Sequence, residues 1–285
     1  MSLKREPAAS AFLRVLVVCA MVVWIVPTLG LLINSLRPER DALATGWWTV
    51  FNSPLRITRH TIESYSRGAR AQEVGAAFRN SLAIAAVCTL LPVIMAAFAA
   101  FGFSHLSSGK KTVFFAAIAG LAAVPLCMTF SPVLRTYSRL GLSGSLVGLW
   151  LAHAGYGLPF QVFLFYNLYS ILPEDLFESV HIDGASTITA FLRVALPLSV
   201  PALASLVIFQ FIWIWNDLLV ALIYLGGAND VALLTTRLSG LVGSHGQSWP
   251  LIVSASFISI MVPLVVFLCL EKYLIRGILA GSIDG

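Results

Sequence analysis

The sequence runs to 285 residues, 58% of them hydrophobic and only 11% charged, with a mean hydropathy of +0.88. Soluble domains carry about 25% charged residues, so most of this surface is built to face something other than water. The net charge of +5 does not point to nucleic acid, because the basic residues fall singly or in pairs between apolar stretches and never form the concentrated face that neutralises phosphates.

Apolar runs of at least about 18 residues read as membrane helices, since unpaired backbone groups are costly in hydrocarbon. The first span, predicted near residues 12–36, follows Lys4 and Arg5. It is too long for a signal peptide and lacks a clear small-residue cleavage site, so it is expected to stay attached as an anchor. The connection after it contains Gly46-Trp47-Trp48-Thr49, where a paired tryptophan suits the membrane interface. Further spans are predicted near residues 78–103, 112–134, 146–170, 199–225 and 251–275. The expected fold class is therefore all-α, a polytopic bundle of about six transmembrane helices. One membrane domain is expected over residues 74–276, with the anchor and an external connection over 1–73 and a tail over 277–285. Cys19, Cys88, Cys127 and Cys269 lie in apolar segments without metal-ligand spacing, which predicts reduced core residues.

Charge alone leaves the orientation open. With a cytoplasmic N-terminus, the inside segments hold Lys4, Arg5, Arg14, Lys110, Lys111, Arg193, Lys272 and Arg276. Most of the remaining arginines, including Arg37, Arg40, Arg56, Arg59, Arg67, Arg70 and Arg79, cluster around the long connection after the first span, where charge weighs less than in a short loop.

The most informative stretch runs from Ile171 to Pro201, between the fourth and fifth spans. Leu172, Leu176, Val180 and Ile182 give it an apolar stripe at helical spacing, with Glu174, Asp175, Glu178 and His181 at polar positions. Asp183-Gly184 is a helix-breaking pair, after which a second helix runs through Phe191 and Leu192 until Pro197 and Pro201 re-aim the chain. Two short helices joined by a turn, lying outside the bilayer, are expected.

Glu178-Ser179-Val180, three residues and then Gly184, nine residues and then Val194, and after one more residue Leu196-Pro197 resemble the signature loop of type I importer permeases of the ABC superfamily, in which EAA is followed at the same intervals by Gly, a β-branched residue and Leu-Pro. Asp183, Ala185, Phe191, Leu198 and Pro201 also stand at matching positions, whereas Ser179 and Val180 replace the two alanines. The AAFRNSL stretch from Ala76, the Pro159 and Tyr166-to-Pro173 approach to the loop, and Trp215-Asn216-Asp217 are similar to elements of the carbohydrate-importing, maltose-type members. The Gly46–Thr49 stretch is similar to α-glucoside members.

The resemblance implies a permease subunit translocating a sugar of the oligosaccharide or α-glucoside class across the bacterial inner membrane. It implies a coupling role for Glu178, His181, Asp183, Gly184 and Ala185, with Phe191, Leu196, Pro197 and Pro201 shaping the loop. The implied partners are a second homologous permease, two nucleotide-binding ATPase subunits that hold ATP and Mg, an extracytoplasmic solute-binding protein and the lipid bilayer. No cofactor is expected in this chain itself, and both termini are expected to be cytoplasmic.

Asp217 is the one acidic residue well inside an apolar span, and such residues face partners or water. With Trp213 and Asn216 it either lines a hydrated pathway, offering hydrogen bonds to sugar hydroxyls, or ties helices together. In the fourth span Tyr156 and Gln161, beside His153, Tyr166 and Asn167, are the other pathway candidates, and Gly155, Gly157 and Pro159 are positioned to break that helix. The connection from Gly226 to Pro250 is rich in glycine and polar residues: either a solvated loop or, as the resemblance implies, one reaching towards the solute-binding protein.

Enzyme motifs are missing: there is no HExxH, no zinc-spaced Cys/His set and no GxxxxGK[ST] phosphate loop, so the chain is not itself an ATPase. A gradient-driven secondary transporter is the other reading, although no repeat relates residues 1–140 to 141–285. An importer of the same type for a non-sugar solute is a third.

Overall fold

The computed structural model describes residues 7–37, 39–52, 72–104, 108–226, 231–243 and 249–280, and every regular element among them is helical. In chain order these are α1 (Pro7–Ser35), α2 (Glu39–Ala44), a 3₁₀ segment (Trp47–Asn52), α3 (Gln72–Ser104), α4 (Ser108–Ala122), α5 (Leu126–Leu140) and α6 (Leu146–Ser170). Then come α7 (Glu174–Ile182), α8 (Thr187–Ala190), a π-helical segment (Phe191–Ala195), a short turn of helix (Leu196–Leu198), α9 (Val200–Trp215), α10 (Leu219–Leu225), α11 (Leu234–Gly243) and α12 (Trp249–Ala280).

Among the described residues three helical stretches are long and apolar enough to cross a bilayer, Ala11–Ser35, Val74–Ser104 and Ile252–Tyr273. Two bent pairs qualify only when each is taken as one broken span, bringing the number to five. Helix α6 has 25 residues, about 37 Å of helix at 1.5 Å per residue, which exceeds the ~30 Å hydrocarbon core. It carries the polar residues His153, Tyr156, Gln161 and Asn167 and is not one of those three stretches.

Two predicted spans are not continuous helices. The one expected over 112–134 ends at Ala122, and α5 leaves at 90° to it. Pro125, at the N-cap of α5, has no amide to donate and steers Val124 away from helical geometry. Helix α5 is amphipathic: Tyr137 is buried and Phe130, Val133 and Leu134 half-buried, while Arg135, Thr136, Ser138 and Arg139 are exposed. The span expected over 199–225 breaks between Trp215 and Leu219. Conversely, the fourth span is unbroken from Leu146 to Ser170 with Pro159 inside it.

The chain divides into two compact units. One comprises Met1–Gly75 with Leu238–Met261. In it the Trp47 indole lies against α1 at Gly30, where a Cβ would stand 2.9 Å from Nε1, so only glycine admits the ring. Arg37 is buried and donates to Asn34 Oδ1 at 3.1 Å, to the Thr45 carbonyl at 3.1 Å and to the Asp41 carbonyl at 2.9 Å. It thereby fixes the turn that delivers Trp47, while Trp48 is exposed. Residues 53–71, with Arg56, Arg59, Arg67 and Arg70, lie outside the described residues.

The other unit comprises Ala76–Arg237 with Val262–Gly285. Its core joins Val93, Ala96, Ala97, Ala100 and Phe101 of α3 to Val162, Phe165 and Tyr169 of α6, and these to Phe177 and Phe191. Alanines on α3 let helices approach closely, the usual solution where lipid offers no hydrophobic drive. All four cysteines are free, but only Cys88 belongs to the core; Cys19, Cys127 and Cys269 are exposed. An apolar position in a span faces lipid as readily as protein, which composition does not distinguish.

Candidate functional site

Helices α7 and α8 form the expected helical elbow. Helix α7 ends at Gly184, whose φ of 79° lies in the left-handed region. There the Ala185 amide reaches back to the Val180 carbonyl at 3.1 Å, closing the terminus as a Schellman-type cap. Ser186 then starts the second arm, its hydroxyl accepting the Thr189 amide at 3.2 Å.

Each arm is anchored by one aromatic residue. Phe177 of α7 and Phe191 after α8 are both buried, and their rings lie 5.7 and 5.1 Å from that of Phe101. Tyr169, near the end of α6, packs edge-on to Phe101 at 5.8 Å. The predicted stripe is thus corrected: Leu172 and Val180 pack on the core, but Leu176 and Ile182 are exposed, and Phe177 is the residue that is buried. Glu178, Asp183 and Gly184 are exposed, Ala185 is half-buried, and His181 stands in the last turns of α7. The outward face, with Ile182 85% and Ile188 66% exposed beside the acidic pair, combines apolar and charged groups as a docking surface does.

The second arm enters α9 through a bend of 74°. Phe191–Ala195 is π-helical, and Ser199 sits at the bend with its hydroxyl donating to the Leu196 carbonyl at 2.9 Å. Pro197 is exposed and Pro201 half-buried, flanking the bend.

Above the elbow, α6 and α9 pack against each other along a polar seam. His153 and Gln161 on α6 are fully buried, and Gln210 on α9 is buried at 8% exposure. Among the described residues the His153 ring nitrogens, both polar atoms of the Gln161 amide and the Gln210 amide nitrogen have no hydrogen-bond partner. Both amides approach Gly157: a Cβ there would stand 2.7 Å from Gln210 Nε2 and 3.1 Å from Gln161 Nε2. At the far end of the seam the Trp213 ring stands edge-on to His153 at 5.6 Å, and His153 Nε2 is 3.8 Å from Asp217 Oδ2.

Asp217 sits in the break between α9 and α10. Its Oδ1 accepts the Val220 amide at 3.3 Å and its Oδ2 the Ala221 amide at 3.0 Å, so the carboxylate caps α10. Its carbonyl accepts from Thr235 Oγ1 at 2.7 Å. Asn216 is exposed and donates to the Ile212 carbonyl at 2.8 Å. Tyr156 points away from the seam: its hydroxyl contacts that of Tyr224 and lies 3.0 Å from Thr129 Oγ1, joining α5, α6 and α10.

Two stretches singled out in the sequence converge on one segment. In AAFRNSL, Ser81 accepts the Leu234 amide at 2.8 Å and Asn80 donates to the Ala232 carbonyl at 3.3 Å, while Phe78 packs edge-on to Trp215. From the connection predicted as a loop, Leu234–Gly243 is helical, with Leu233 and Leu234 buried. Asn229, Asp230, His245, Gln247 and Ser248 lie outside the described residues. Phe177, Gln210, the place of Gly157 beside the two amides and Ser81's role as an acceptor were not picked out from the sequence. Phe177 stands one residue from the assumed stripe, and a lone glutamine in an apolar helix was the available signal for Gln210.

A multi-pass helical membrane domain, with two long helices yoked by an exposed elbow, is the architecture of a transport permease. Residues 9–279 match the family described as "Binding-protein-dependent transport system inner membrane component", and the chain belongs to that family. It is 50% identical over 261 residues to the osmoprotective compounds uptake permease protein GgtD of Synechocystis sp., covering 92% of this chain and 88% of that protein. It is 43% identical over 241 residues to the alpha-glucoside transport system permease protein AglG of Rhizobium meliloti, covering 83% of this chain and 63% of that one. The trehalose/maltose transport system permease protein MalG of Thermococcus litoralis is 28% identical over 240 residues, covering 83% and 86%. Among solved structures, a bacterial ABC transporter importing the acidic polysaccharide alginate superposes with a TM-score of 0.74 at 17% identity, covering 95% of this chain and 99% of that one. The alginate transporter in complex with an alginate pentasaccharide-bound periplasmic protein gives 0.62 at 16% identity, covering 92% and 93%. The family resemblance read from Glu178, Gly184 and Leu196-Pro197 is borne out, and the gradient-driven reading falls away.

Proposed function

We propose that this chain is one permease subunit of a sugar-importing ABC transporter, moving a neutral polyhydroxylated solute of the α-glucoside or oligosaccharide class. The observation that carries the reading is the elbow: Phe177 and Phe191 fix its two arms to the core while Glu178, Asp183 and Ile182 face outward. A groove on an ATPase subunit receives this face, and closure of two such subunits around ATP and Mg displaces it. Glu178, His181, Asp183, Gly184 and Ala185 are the coupling residues. The α-glucoside relative at 43% identity supports the cargo.

In this reading the elbow and both termini are cytoplasmic. Because α6 runs the full depth of the membrane into α7, its start at Leu146 and the adjoining α5 lie on the external side, where a solute-binding protein delivers cargo. A second homologous permease supplies the other half of the pathway. Of the pathway candidates, Trp213 and Asn216 are exposed and available to solute, whereas Asp217 caps α10, Tyr156 bonds between helices and Gln161 is buried beside α9.

The relative named for osmoprotective compounds favours a second cargo, a compatible solute. One experiment separates these readings: purify the tagged chain from its host, identify stoichiometric partners, and assay ATPase activity with binding protein loaded with maltose, trehalose or glycine betaine. Stimulation by the disaccharides supports the sugar reading, stimulation by betaine alone replaces it, and absence of any ATPase partner overturns both.

A further inference from the structure

We infer that Gln161 and Gln210 are positioning residues of the transport cycle, their amides unpaired in this conformer and joined across α6 and α9 when the elbow is displaced. The inference rests on the importer reading above and goes beyond it, because that reading says nothing of how the long helices register the elbow's movement.

Burial comes first. A buried amide without a partner loses its hydration and gains nothing in return, so native proteins keep few of them. Here two lie on neighbouring helices, with Gln161 1% and Gln210 8% exposed, and both amide nitrogens lie within 3.1 Å of one point beside Gly157. As the side chains stand, neither nitrogen beside Gly157 has an acceptor; a small relative shift of the helices with a turn of one amide brings the carbonyl oxygen of one to the N–H of the other. Gly157 leaves the notch open, with no side chain of its own between the glutamines.

Connectivity comes second. Helices α6 and α9 are the two that the elbow joins, and they join it unequally. Helix α6 passes to α7 through a tight turn in which the Leu172 amide donates to the Tyr169 carbonyl at 3.3 Å. Helix α9 is reached only through the π-helical segment and the 74° bend at Ser199. π-helical turns recur at functional sites because their extra residue makes them deformable. A push on the elbow is therefore transmitted stiffly to α6 and through a bend to α9, shifting one along the other. Helix shifts of about 1–2 Å are common in switching proteins, and that is the scale on which an amide changes partner.

The test uses the assembled importer with its ATPase subunits and binding protein in nanodiscs. Gln161→Leu, Gln210→Leu and the double variant keep side-chain bulk while removing the polar groups, so the membrane domain still folds. An interhelical hydrogen bond in a membrane protein shifts a conformational equilibrium by roughly 3- to 20-fold. Each single variant is expected to lower solute turnover by a factor in that range with the solute KM unchanged, and the double variant to be no worse than either single one. In a background with Cys19, Cys88, Cys127 and Cys269 replaced, Gln161→Cys with Gln210→Cys is expected to cross-link more readily after vanadate trapping than at rest. Additive losses, a raised KM, or cross-linking equal in both states would overturn the inference, the raised KM assigning Gln161 to solute contact instead. Failure of the importer reading shows separately, as the absence of a co-purifying ATPase, and removes this proposal with it.

Discussion

The Asp217 carboxylate accepts the Ala221 amide at 3.0 Å, and this contact, with its companion at Val220, holds α10 where the fifth apolar segment breaks. An intramembrane carboxylate is commonly taken as a solute ligand, yet here both oxygens are engaged by the backbone.

Asp217→Asn should therefore retain transport and solute KM, because its one carbonyl oxygen still accepts an amide of α10 while the second backbone contact is lost. Asp217→Ala should lose about 1 kcal/mol of stability, read as a lower unfolding temperature of the solubilised complex. A solute KM raised tenfold in the asparagine variant would instead make Asp217 a solute ligand.

At Gly184 the backbone turns with φ of 79°. A Gly184→Ala substitution should cost about 1–2 kcal/mol and reduce ATP-driven transport by distorting the elbow. Gly184→Asn should recover part of the activity, since asparagine tolerates left-handed geometry. Transport by the alanine variant equal to wild type would show that the turn does not shape the docking face.

Phe177 is the anchor of the first arm. Removing it with Phe177→Ala should cost about 3–5 kcal/mol as a buried aromatic side chain, and hydrogen exchange across residues 174–182 should rise sharply. The variant should retain assembly of its membrane helices while binding-protein stimulation of ATPase falls; Phe177→Leu should lie between.

Ser81 accepts the Leu234 amide at 2.8 Å within a buried contact. Ser81→Ala strands that amide at a cost of about 1–3 kcal/mol, and faster exchange at residues 233–236 is the expected signature. Unaltered exchange there would mean that another acceptor takes its place.

How much of this was legible in the sequence follows from physical periodicity. The elbow was, because Gly184 and the Leu196-Pro197 pair constrain the backbone locally and leave a readable interval between them. The breaks after Ala122 and at Asn216 were not, since hydropathy sums over a window and remains high through a bend. Arg135 and Arg139 look like the end of a span until the apolar spacing of Phe130, Val133, Leu134 and Tyr137 is recognised as that of a separate amphipathic helix. Gln210 and Gly157 are single residues on different helices, and only tertiary packing brings them together. Asp217 was visible as unusual, but its role as a cap depended on a helix start that a continuous span conceals.

The right-angle turn at Pro125 has a consequence for biogenesis. Helix α4 has 15 residues, about 22 Å of helix at 1.5 Å per residue, short of the ~30 Å hydrocarbon core. Such a segment, emerging from the ribosome with Lys110 and Lys111 at its start and an arginine-bearing amphipathic helix after it, partitions weakly into lipid on its own. In the folded protein α4 rests on α6, the next full-length helix, whose Phe163 and Tyr166 pack on Phe115 of α4 at 5.1 and 5.5 Å. A nascent chain truncated after α5 is therefore expected to leave α4 poorly inserted in a glycosylation-site mapping assay, and one extended through α6 to insert it.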